Sequence, residues 1–187
     1  MDAETERSLV ERAKKDSEAF GILFEEHYPT TFAYVFRRVP DWNVSKDITS
    51  EVFFKAFKGL WRYRWQGIPF SSWLYRIATN EVRMYLRKKR PPVVSLDHLM
   101  EESGFEPVDP QTLEAERLEA ERKLEAHADF LAIQSKILEL PPKYQDVITL
   151  RYFERKTVKQ VAEILNLKEG TVKSLLSRGI GKLQKLF

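Results

Sequence analysis

Apolar residues recur at intervals of three and four along most of the chain, which is the spacing of helices that bury one face. Pro29 interrupts this pattern, and residues 40–43 mark a turn. Asp16 or Ser17 is an expected helix cap, and so is Ser45. The first half is therefore predicted to be helical over residues 6–15, 17–28, 32–39, 45–60 and from Ser71 or Ser72 to about Arg90. The predicted core of the middle helices consists of Phe20, Leu23, Phe24, Tyr28, Ile48, Val52, Phe53, Ala56, Phe57 and Leu60.

The last part of the chain has the pattern of two short helices joined by a tight turn. Thr157 and Gln160 form a capping-box pair that starts the first helix, and Asn166 ends it. The second helix spans residues 169–183. Its inward face carries Val172, Leu176, Ile180 and Leu183. Its outward face is short, polar and basic, with Lys173, Ser174, Ser177 and Arg178. This pattern predicts a helix-turn-helix whose second helix fits a DNA major groove, although an ordinary amphipathic hairpin has similar periodicity.

Two further helices are predicted before this motif, and a linker before them. Phe130, Leu131, Ile133, Ile137, Leu138 and Leu140 form the apolar face of the first, and Pro141 with Pro142 opens the second. Residues 91–124 begin with a proline pair and are polar and acidic. The sequence thus predicts an all-α fold of two small helical domains, residues 1–90 and 125–187, joined by a flexible acidic linker at 91–124.

Charge is distributed unevenly over the 187 residues. The formal net charge is +3, but residues 97–129 hold 11 acidic and 3 basic residues, so the rest has 28 basic and 17 acidic residues. Two basic lobes flanking an acidic connector favour a polyanionic partner such as DNA. The connector is expected to compete with DNA for the basic faces of the free protein.

The composition also restricts the possible chemistry. The chain has no cysteine, and its three histidines are scattered singly, so no metal site or cofactor is expected. No apolar run is long enough for a membrane span, and the charged first residues do not resemble a signal sequence. We therefore expect a soluble, cytoplasmic protein that is monomeric when free.

One predicted helix carries a row of charged residues opposite its apolar face. Asp47, Glu51, Lys55 and Lys58 follow one another at helical spacing. Such a row can bind a protein partner. It can equally be a solvated face, because Asp near a helix start and a Glu51–Lys55 pair are favourable by themselves.

Aromatic and basic residues alternate before the last helix of the first half. Six of the fifteen residues from Trp61 to Tyr75 are aromatic, and Arg62 and Arg64 lie among them, as expected where unstacked bases bind. The following helix carries Arg76, Asn80, Arg83 and Arg87 at spacings of four, three and four, a set that we call the basic stripe. A merely solvated basic face is the alternative.

Taken in order, three motifs resemble a known family: KDITSEVFFKAF, FSSWLYRIATNEVRMYLR, and LPPKYQDVITLRYFE followed by VAEILNLKEGTVKS. Over residues 8–90 and 125–185 the chain resembles extracytoplasmic-function (ECF) sigma factors of the bacterial sigma-70 family. The resemblance implies two DNA-reading domains that bind core RNA polymerase and direct it to promoters. It also implies an anti-sigma partner.

The resemblance and the residue patterns together assign roles to particular residues. Core polymerase binding is expected at Asp47, Glu51 and Lys55. Recognition of the melted minus-ten element is expected at Arg62, Arg64, Phe70, Arg76, Asn80, Arg83 and Arg87, with the loop from Gln66 to Phe70 capturing a flipped base. Duplex minus-thirty-five recognition is expected at Thr171, Lys173, Ser174, Ser177 and Arg178, which we call the groove face. Met84, Lys168 and Leu175 depart from the usual family pattern, and Lys168 replaces the usual serine cap of the recognition helix.

Two other functions fit parts of the sequence. A LuxR-type transcriptional regulator shares a helix like EGTVK at residues 169–173, but not the motif FSSWLYRIATNEVRMYLR. An enzyme with an appended helix-turn-helix is the weakest alternative, since the seven glycines form no phosphate loop and no catalytic cluster is apparent. A promoter-specificity subunit without catalytic activity is the leading prediction.

Overall fold

The computed structural model describes residues 3–65, 68–88 and 131–187, and every regular element within these ranges is helical. The amino lobe consists of α1 (Ala3–Ala13), α2 (Ser17–Arg38), α3 (Trp42–Gly59), a 3-10 turn (Leu60–Arg62) and α4 (Phe70–Lys88). The carboxy lobe consists of α5 (131–139), α6 (Pro142–Ile148), a π-helical turn (Thr149–Phe153), α7 (Val158–Leu165) and α8 (Glu169–Leu183). The predicted all-α class is confirmed. The linker and the acidic connector lie outside the described residues, and none of the described helices is long and apolar enough to cross a membrane.

Helix α2 is the centre of the amino lobe, because α1, α3 and α4 all pack against it. Leu23 and Val35 of α2, Val52 of α3 and Leu74 and Val82 of α4 are almost completely buried. Each such side chain contributes about 1.5–3 kcal/mol when it leaves water. The helical apolar periodicity of the sequence therefore specifies which faces of these helices meet.

Pro29 does not interrupt the helix, contrary to the sequence prediction, because α2 runs through it to Arg38. An internal proline costs about 3 kcal/mol, since it removes one backbone hydrogen bond and crowds the preceding turn. Packing on both sides holds the helix together. Leu23 precedes the proline and Val35 follows it, and both are buried in the same core.

The start of α3 also differs from the prediction. Asp41, and not Ser45, caps this helix, and its carboxylate accepts a hydrogen bond from the Val44 amide at 2.9 Å. Ser45 lies one turn inside, where it is buried and donates from Oγ to the Val39 carbonyl oxygen at 2.6 Å. Both residues are suitable caps, and the burial of Ser45 decides between them. By contrast, Asp16 caps α2 as one of the two predicted alternatives.

The predicted core is correct for most positions, with three corrections. Phe24 is 37% exposed, Phe57 is 49% exposed, and Ile133 of α5 is 39% exposed. All three lie at the edges of apolar stripes that are wider than the neighbouring helices cover. Phe57 packs edge-on against Phe20, with ring centroids 4.9 Å apart, and leaves its other side open.

The helix-turn-helix of the carboxy lobe forms as predicted. Thr157 and Gln160 make both capping-box hydrogen bonds, at 3.2 and 2.9 Å. Asn166 ends α7 in the left-handed conformation with φ of 53°, which asparagine tolerates better than most residues. Helix α8 then spans the predicted residues, and its first turn lacks a side-chain cap at Lys168.

Two glycines of α8 differ in how closely neighbouring atoms pack against them. A Cβ on Gly179 would lie 3.1 Å from Cδ1 of Ile148 and 3.3 Å from Cβ of Tyr144, whereas a Cβ on Gly181 would meet nothing within 4 Å. Gly179→Leu should lower the free energy of unfolding by about 1–3 kcal/mol through overpacking. Gly181→Ala should raise it by up to about 1 kcal/mol through helix propensity.

Chemical denaturation of both variants measures these changes, and Gly181→Ala is the matched control for substitution in the same helix. Stabilisation by Gly179→Leu would contradict the close packing of α8 on α6.

Candidate nucleic-acid and polymerase interfaces

The groove face of α8 is fully available. All five of its members are exposed, whereas Val172 and Leu176 on the opposite side are buried against the rest of the carboxy lobe. The Ser174 hydroxyl donates to the Thr171 carbonyl oxygen at 3.0 Å, so it is held close to the helix. The result is a slim, basic surface that can lie in a major groove without steric hindrance from large side chains.

The basic stripe lies on one exposed side of α4, as predicted: Arg76, Asn80, Arg83 and Arg87 are all exposed at residue level. The start of this helix is positioned by a residue that sequence reasoning missed. Glu6 of α1 is 7% exposed, and its Oε2 accepts a hydrogen bond from the Phe70 amide at 3.1 Å. A carboxylate at this position satisfies a free amide and suits the positive end of the helix dipole. No local sequence signal links residues so far apart in the chain.

A cleft of about 230 Å³ lies beside the stripe, and Glu163 and Ile164 of α7 form its other wall. Its amino-lobe lining combines Arg62, Arg64 and Arg76 with the rings of Tyr63 and Trp73. Such a combination of guanidinium groups and aromatic rings suits an unstacked base with its phosphate. Arg62 itself lies over the Trp61 ring, with Cζ 4.4 Å from the centroid.

Phe70 requires a correction. It was predicted to contact DNA, but its side chain is completely buried. Its ring packs against the rings of His27, Tyr63 and Trp73, with centroids 5.5–5.7 Å apart. The aromatic residues of this segment include both core and surface residues, and their spacing alone does not distinguish the two groups. Gln66 and Gly67, the first residues of the predicted base-capturing loop, lie outside the described residues.

The acidic pair, Asp47 and Glu51, is exposed on α3. Lys55, predicted to act with this pair, is already engaged: its Nζ lies 2.7 Å from Glu81 of α4 and 3.4 Å from Glu51. The hydrogen bond to Glu81 raises the pKa of Lys55. Lys55 thus links α3 to α4 within the amino lobe, in addition to bordering the acidic pair.

Apolar surface lies on α3 and the following turn, which sequence reasoning missed in part. Phe54, Phe57 and Trp61 are each about half exposed or more. Lys58 lies over the Phe54 ring at 4.3 Å. Exposed rings near charged groups are typical of protein-binding surfaces. The signal in the sequence was a stripe of apolar residues too wide for one buried face.

The two lobes contact each other directly, and the contact includes part of the basic stripe. Arg83 of α4 donates to Asp146 of α6, from Nε at 2.9 Å and from Nη2 at 2.7 Å. Asp146 also receives a hydrogen bond from Arg38 of α2, and both of these residues are at most 1% exposed. Arg76 donates to the Glu163 carbonyl oxygen of α7. The sequence pattern did not predict this interface.

A second part of the interface surrounds Glu154. Its carboxylate accepts hydrogen bonds from Arg37 of α2 and from the Tyr75 hydroxyl of α4, the latter at 2.7 Å. Burial raises the pKa of Glu154, and burial beside this carboxylate raises the pKa of Tyr75 well above its ordinary value. Lys156 donates to the Ser71 hydroxyl at 3.1 Å, and burial lowers its pKa.

Two family models match the chain. The family model "Sigma-70 region 2" matches residues 23–91, and "Sigma-70, region 4" matches residues 130–183. The ECF RNA polymerase sigma factor SigW of Bacillus subtilis is 31% identical over 186 residues, covering 99% of this chain and 97% of SigW. The chain belongs to the ECF sigma factors.

Other ECF sigma factors are similarly related. The sigma-E factor of Escherichia coli K12 is 32% identical over 179 residues, covering 93% of this chain and 90% of that protein. BldN of Streptomyces coelicolor is 30% identical over 95% of this chain, which spans only 64% of BldN.

Solved structures support the fold. The chain aligns with CnrH, solved in complex with the cytosolic domain of CnrY, at a TM-score of 0.67 and 23% identity, covering 97% of this chain and 96% of CnrH. RpoE of Bartonella quintana, solved with the anti-sigma factor NepR, aligns at a TM-score of 0.64 and 18% identity, covering 89% of this chain and 95% of RpoE.

Membership of this family decides among the alternative functions. As an ECF sigma factor, the chain binds core RNA polymerase and recognises promoter DNA, and it is a transcription initiation factor without enzymatic activity. The LuxR-type alternative is excluded, because the region 2 model matches most of the amino lobe.

Proposed function

We propose that the two lobes divide promoter recognition between them. The basic stripe and the neighbouring cleft bind the melted minus-ten strand, and the groove face reads the minus-thirty-five duplex. The observation that carries this proposal is the clustering of Arg62, Arg64 and Arg76 with the rings of Tyr63 and Trp73, which together line the amino-lobe side of the cleft. This surface has the positive charge and the rings that a single strand requires.

Within the minus-ten surface, the residues differ in role. Arg62, Arg64, Arg76, Arg83 and Arg87 contact phosphates or stack on bases, so they set affinity and its dependence on salt. Asn80 carries both a donor and an acceptor at the middle of the stripe, so it contributes to base preference. Phe70 supports the cleft from the core.

The acidic pair on α3 contacts core polymerase. Its exposure supports this role, as does its position on the same helix as the exposed Phe54 and Phe57 rings. Charged residues around an apolar patch give both steering and contact area. Lys55 orients Glu51 and does not bind polymerase independently, because Glu81 holds its amino group.

The double variant Asp47→Lys, Glu51→Lys tests the polymerase assignment. It should reduce affinity for purified core polymerase at least about tenfold, since like-charge contacts across an interface are costly. The measurement is fluorescence titration of labelled protein with core polymerase. Circular dichroism must first show an intact fold.

The matched control is Glu11→Lys, Glu139→Lys, which reverses the same number of exposed charges on α1 and α5. If the two double variants bind core polymerase with equal affinity, the acidic pair has no role in polymerase binding and is only a solvated face.

We also propose that the protein works in the cytoplasm as a monomer until it meets core polymerase, and that an anti-sigma protein regulates it. The structure of RpoE with NepR is a precedent for such a partner. A purified inhibitor that abolishes core binding by this chain would support regulation by a partner. Size-exclusion chromatography with light scattering tests the monomer, and a dimer would contradict it.

A further inference from the structure

Helix α4 begins without an acidic residue in its own first turn, and α1 supplies one. Glu6 of α1 is 7% exposed, and its Oε2 accepts a hydrogen bond from the Phe70 amide at 3.1 Å. Phe70 is completely buried, so water does not reach this amide in place of the carboxylate. A buried amide that loses its acceptor is costly. Glu6 therefore fixes the place at which α4 starts.

Apolar packing holds α1 firmly on the rest of the amino lobe. Leu9, Val10 and Ala13 are each at most 7% exposed and belong to the apolar core. On α2, Nε2 of His27 lies 3.4 Å from Oε1 of Glu6. The carboxylate thus lies against both α2 and α4, on a helix that is itself well anchored. A group that positions a binding site has to be supported in this way.

The residue that Glu6 holds supports the aromatic side of the cleft. The Phe70 ring packs against the rings of Tyr63 and Trp73, with centroids 5.7 and 5.5 Å apart. Tyr63 and Trp73 line the cleft, and their own centroids are 4.9 Å apart. A shift of the first residue of α4 would therefore move the rings that are proposed to meet a base.

The chain just before α4 is tied to the same group of residues. The Tyr63 hydroxyl donates to the carbonyl oxygen of Ile68, another lining residue of the cleft, at 3.3 Å. Burial, and then the nearby charge of Glu6, raise the pKa of Tyr63 to about 12, so this hydroxyl keeps its proton at ordinary pH. The Ser72 amide donates to the Pro69 carbonyl oxygen at 2.9 Å. Hydrogen bonds from the cleft and from α1 together hold this segment in one conformation.

We infer that Glu6 is a positioning residue for recognition of the melted strand, because it fixes the first turn of α4 and, through Phe70, the rings of Tyr63 and Trp73. This inference rests on the proposed function of the cleft. Glu6 touches no DNA in this role. Helix α1 precedes residue 23, where the match to the region 2 model begins, so the DNA-reading unit of this chain extends beyond the matched region. A displacement of about 1 Å is enough to weaken a preorganised site.

Amide hydrogen exchange tests the contact without DNA. In the complete free chain, followed by NMR, the Phe70 amide should exchange at least about tenfold faster in Glu6→Ala than in the parent. Glu6→Gln keeps a side-chain oxygen that can accept the same bond, so it should retain most of the protection. The matched control is Glu11→Ala, because Glu11 is exposed on the same helix and pairs with Lys14. Unchanged protection in Glu6→Ala would overturn the positioning role.

A DNA selection tests the effect on recognition. The complete chain with core polymerase is bound to a library of fork DNA that is duplex upstream and single-stranded over a randomised minus-ten segment, and the bound molecules are sequenced. The parent should favour particular bases within that segment. Glu6→Ala should reduce this preference at least about fivefold, whereas Glu6→Gln and Glu11→Ala should keep most of it.

Affinity for core polymerase separates positioning from a general loss of structure. It should be the same for the parent and all three variants, because Glu6 contacts α2 and α4 and the acidic pair lies on α3. If circular dichroism shows that Glu6→Ala is unfolded, Glu6→Asp replaces it in each measurement with the same expectation, since its carboxylate is one methylene shorter.

Two results would overturn the role in recognition: a base preference in Glu6→Ala equal to that of the parent, or an equal loss of base preference and of polymerase affinity. If the parent shows no base preference while Phe70 exchange responds to Glu6→Ala, the proposed function of the cleft fails and the anchoring of α4 by α1 stands.

Discussion

Replacing Asp146 with alanine is expected to split the thermal unfolding of the chain into two transitions. The parent should unfold in one, because the buried apolar side chains of both lobes form one continuous cluster. Without Asp146, the Arg38 guanidinium remains 1% exposed with the Gln145 side-chain oxygen as its remaining described acceptor. Removing one partner of a buried pair costs about 3–5 kcal/mol. Separation of the lobes returns Arg38 to water, so the variant avoids this cost by opening.

Differential scanning calorimetry measures this effect. The control is Glu139→Ala, which removes an exposed carboxylate whose partner, Lys136, lies on the same helix. Exposed pairs of this kind contribute about 0–1 kcal/mol, so the control should keep a single transition near the parental midpoint. A single transition at the parental midpoint for Asp146→Ala would show that the buried pair does not hold the lobes together.

Loss of one basic residue from the groove face should have the second large effect. Arg178→Ala should weaken binding to minus-thirty-five duplex by about 1–3 kcal/mol if its guanidinium pairs with guanine in two hydrogen bonds. That loss should be confined to promoters carrying one particular base pair. Lys173→Ala should behave similarly, although an ammonium group lacks the forked geometry of arginine.

The complete chain is combined with core polymerase, and the affinity of this complex for duplex DNA is measured over a set of single-base promoter variants. Lys136→Ala removes the same charge from α5, away from α8, and is the control. A uniform loss across all variants would identify Arg178 as a phosphate contact, with the salt slope reduced by about one.

Local signals in the sequence were sufficient wherever a structure depends on neighbouring residues. The capping box at Thr157 and Gln160, the left-handed stop at Asn166 and the two faces of α8 all involve residues within one or two helical turns. Their energetics are local, so their patterns can be read directly. Family motifs extended this reading to the function, and the matched sigma-70 regions confirm it.

Choices among competing local signals required the tertiary structure. Asp41 and Ser45 are both good caps, and burial of Ser45 selects Asp41. Pro29 normally ends a helix, but packing on both sides carries α2 through it. Phe70 and Trp61 lie in the same aromatic segment, yet one is buried and the other is 66% exposed. Neighbours distant in sequence determine each outcome.

The sequence by itself determined the all-α class, the helix-turn-helix, the basic stripe and the family, because helical periodicity and motifs are carried by residues close together in the chain. Only the tertiary structure decided what the polar side chains do. Glu6 caps α4 across 64 positions, and Arg38 meets Asp146 across 108. Such pairs produce no periodic pattern in the sequence. Their stabilising free energy comes from burial and charge complementarity between surfaces that meet only after the helices have formed.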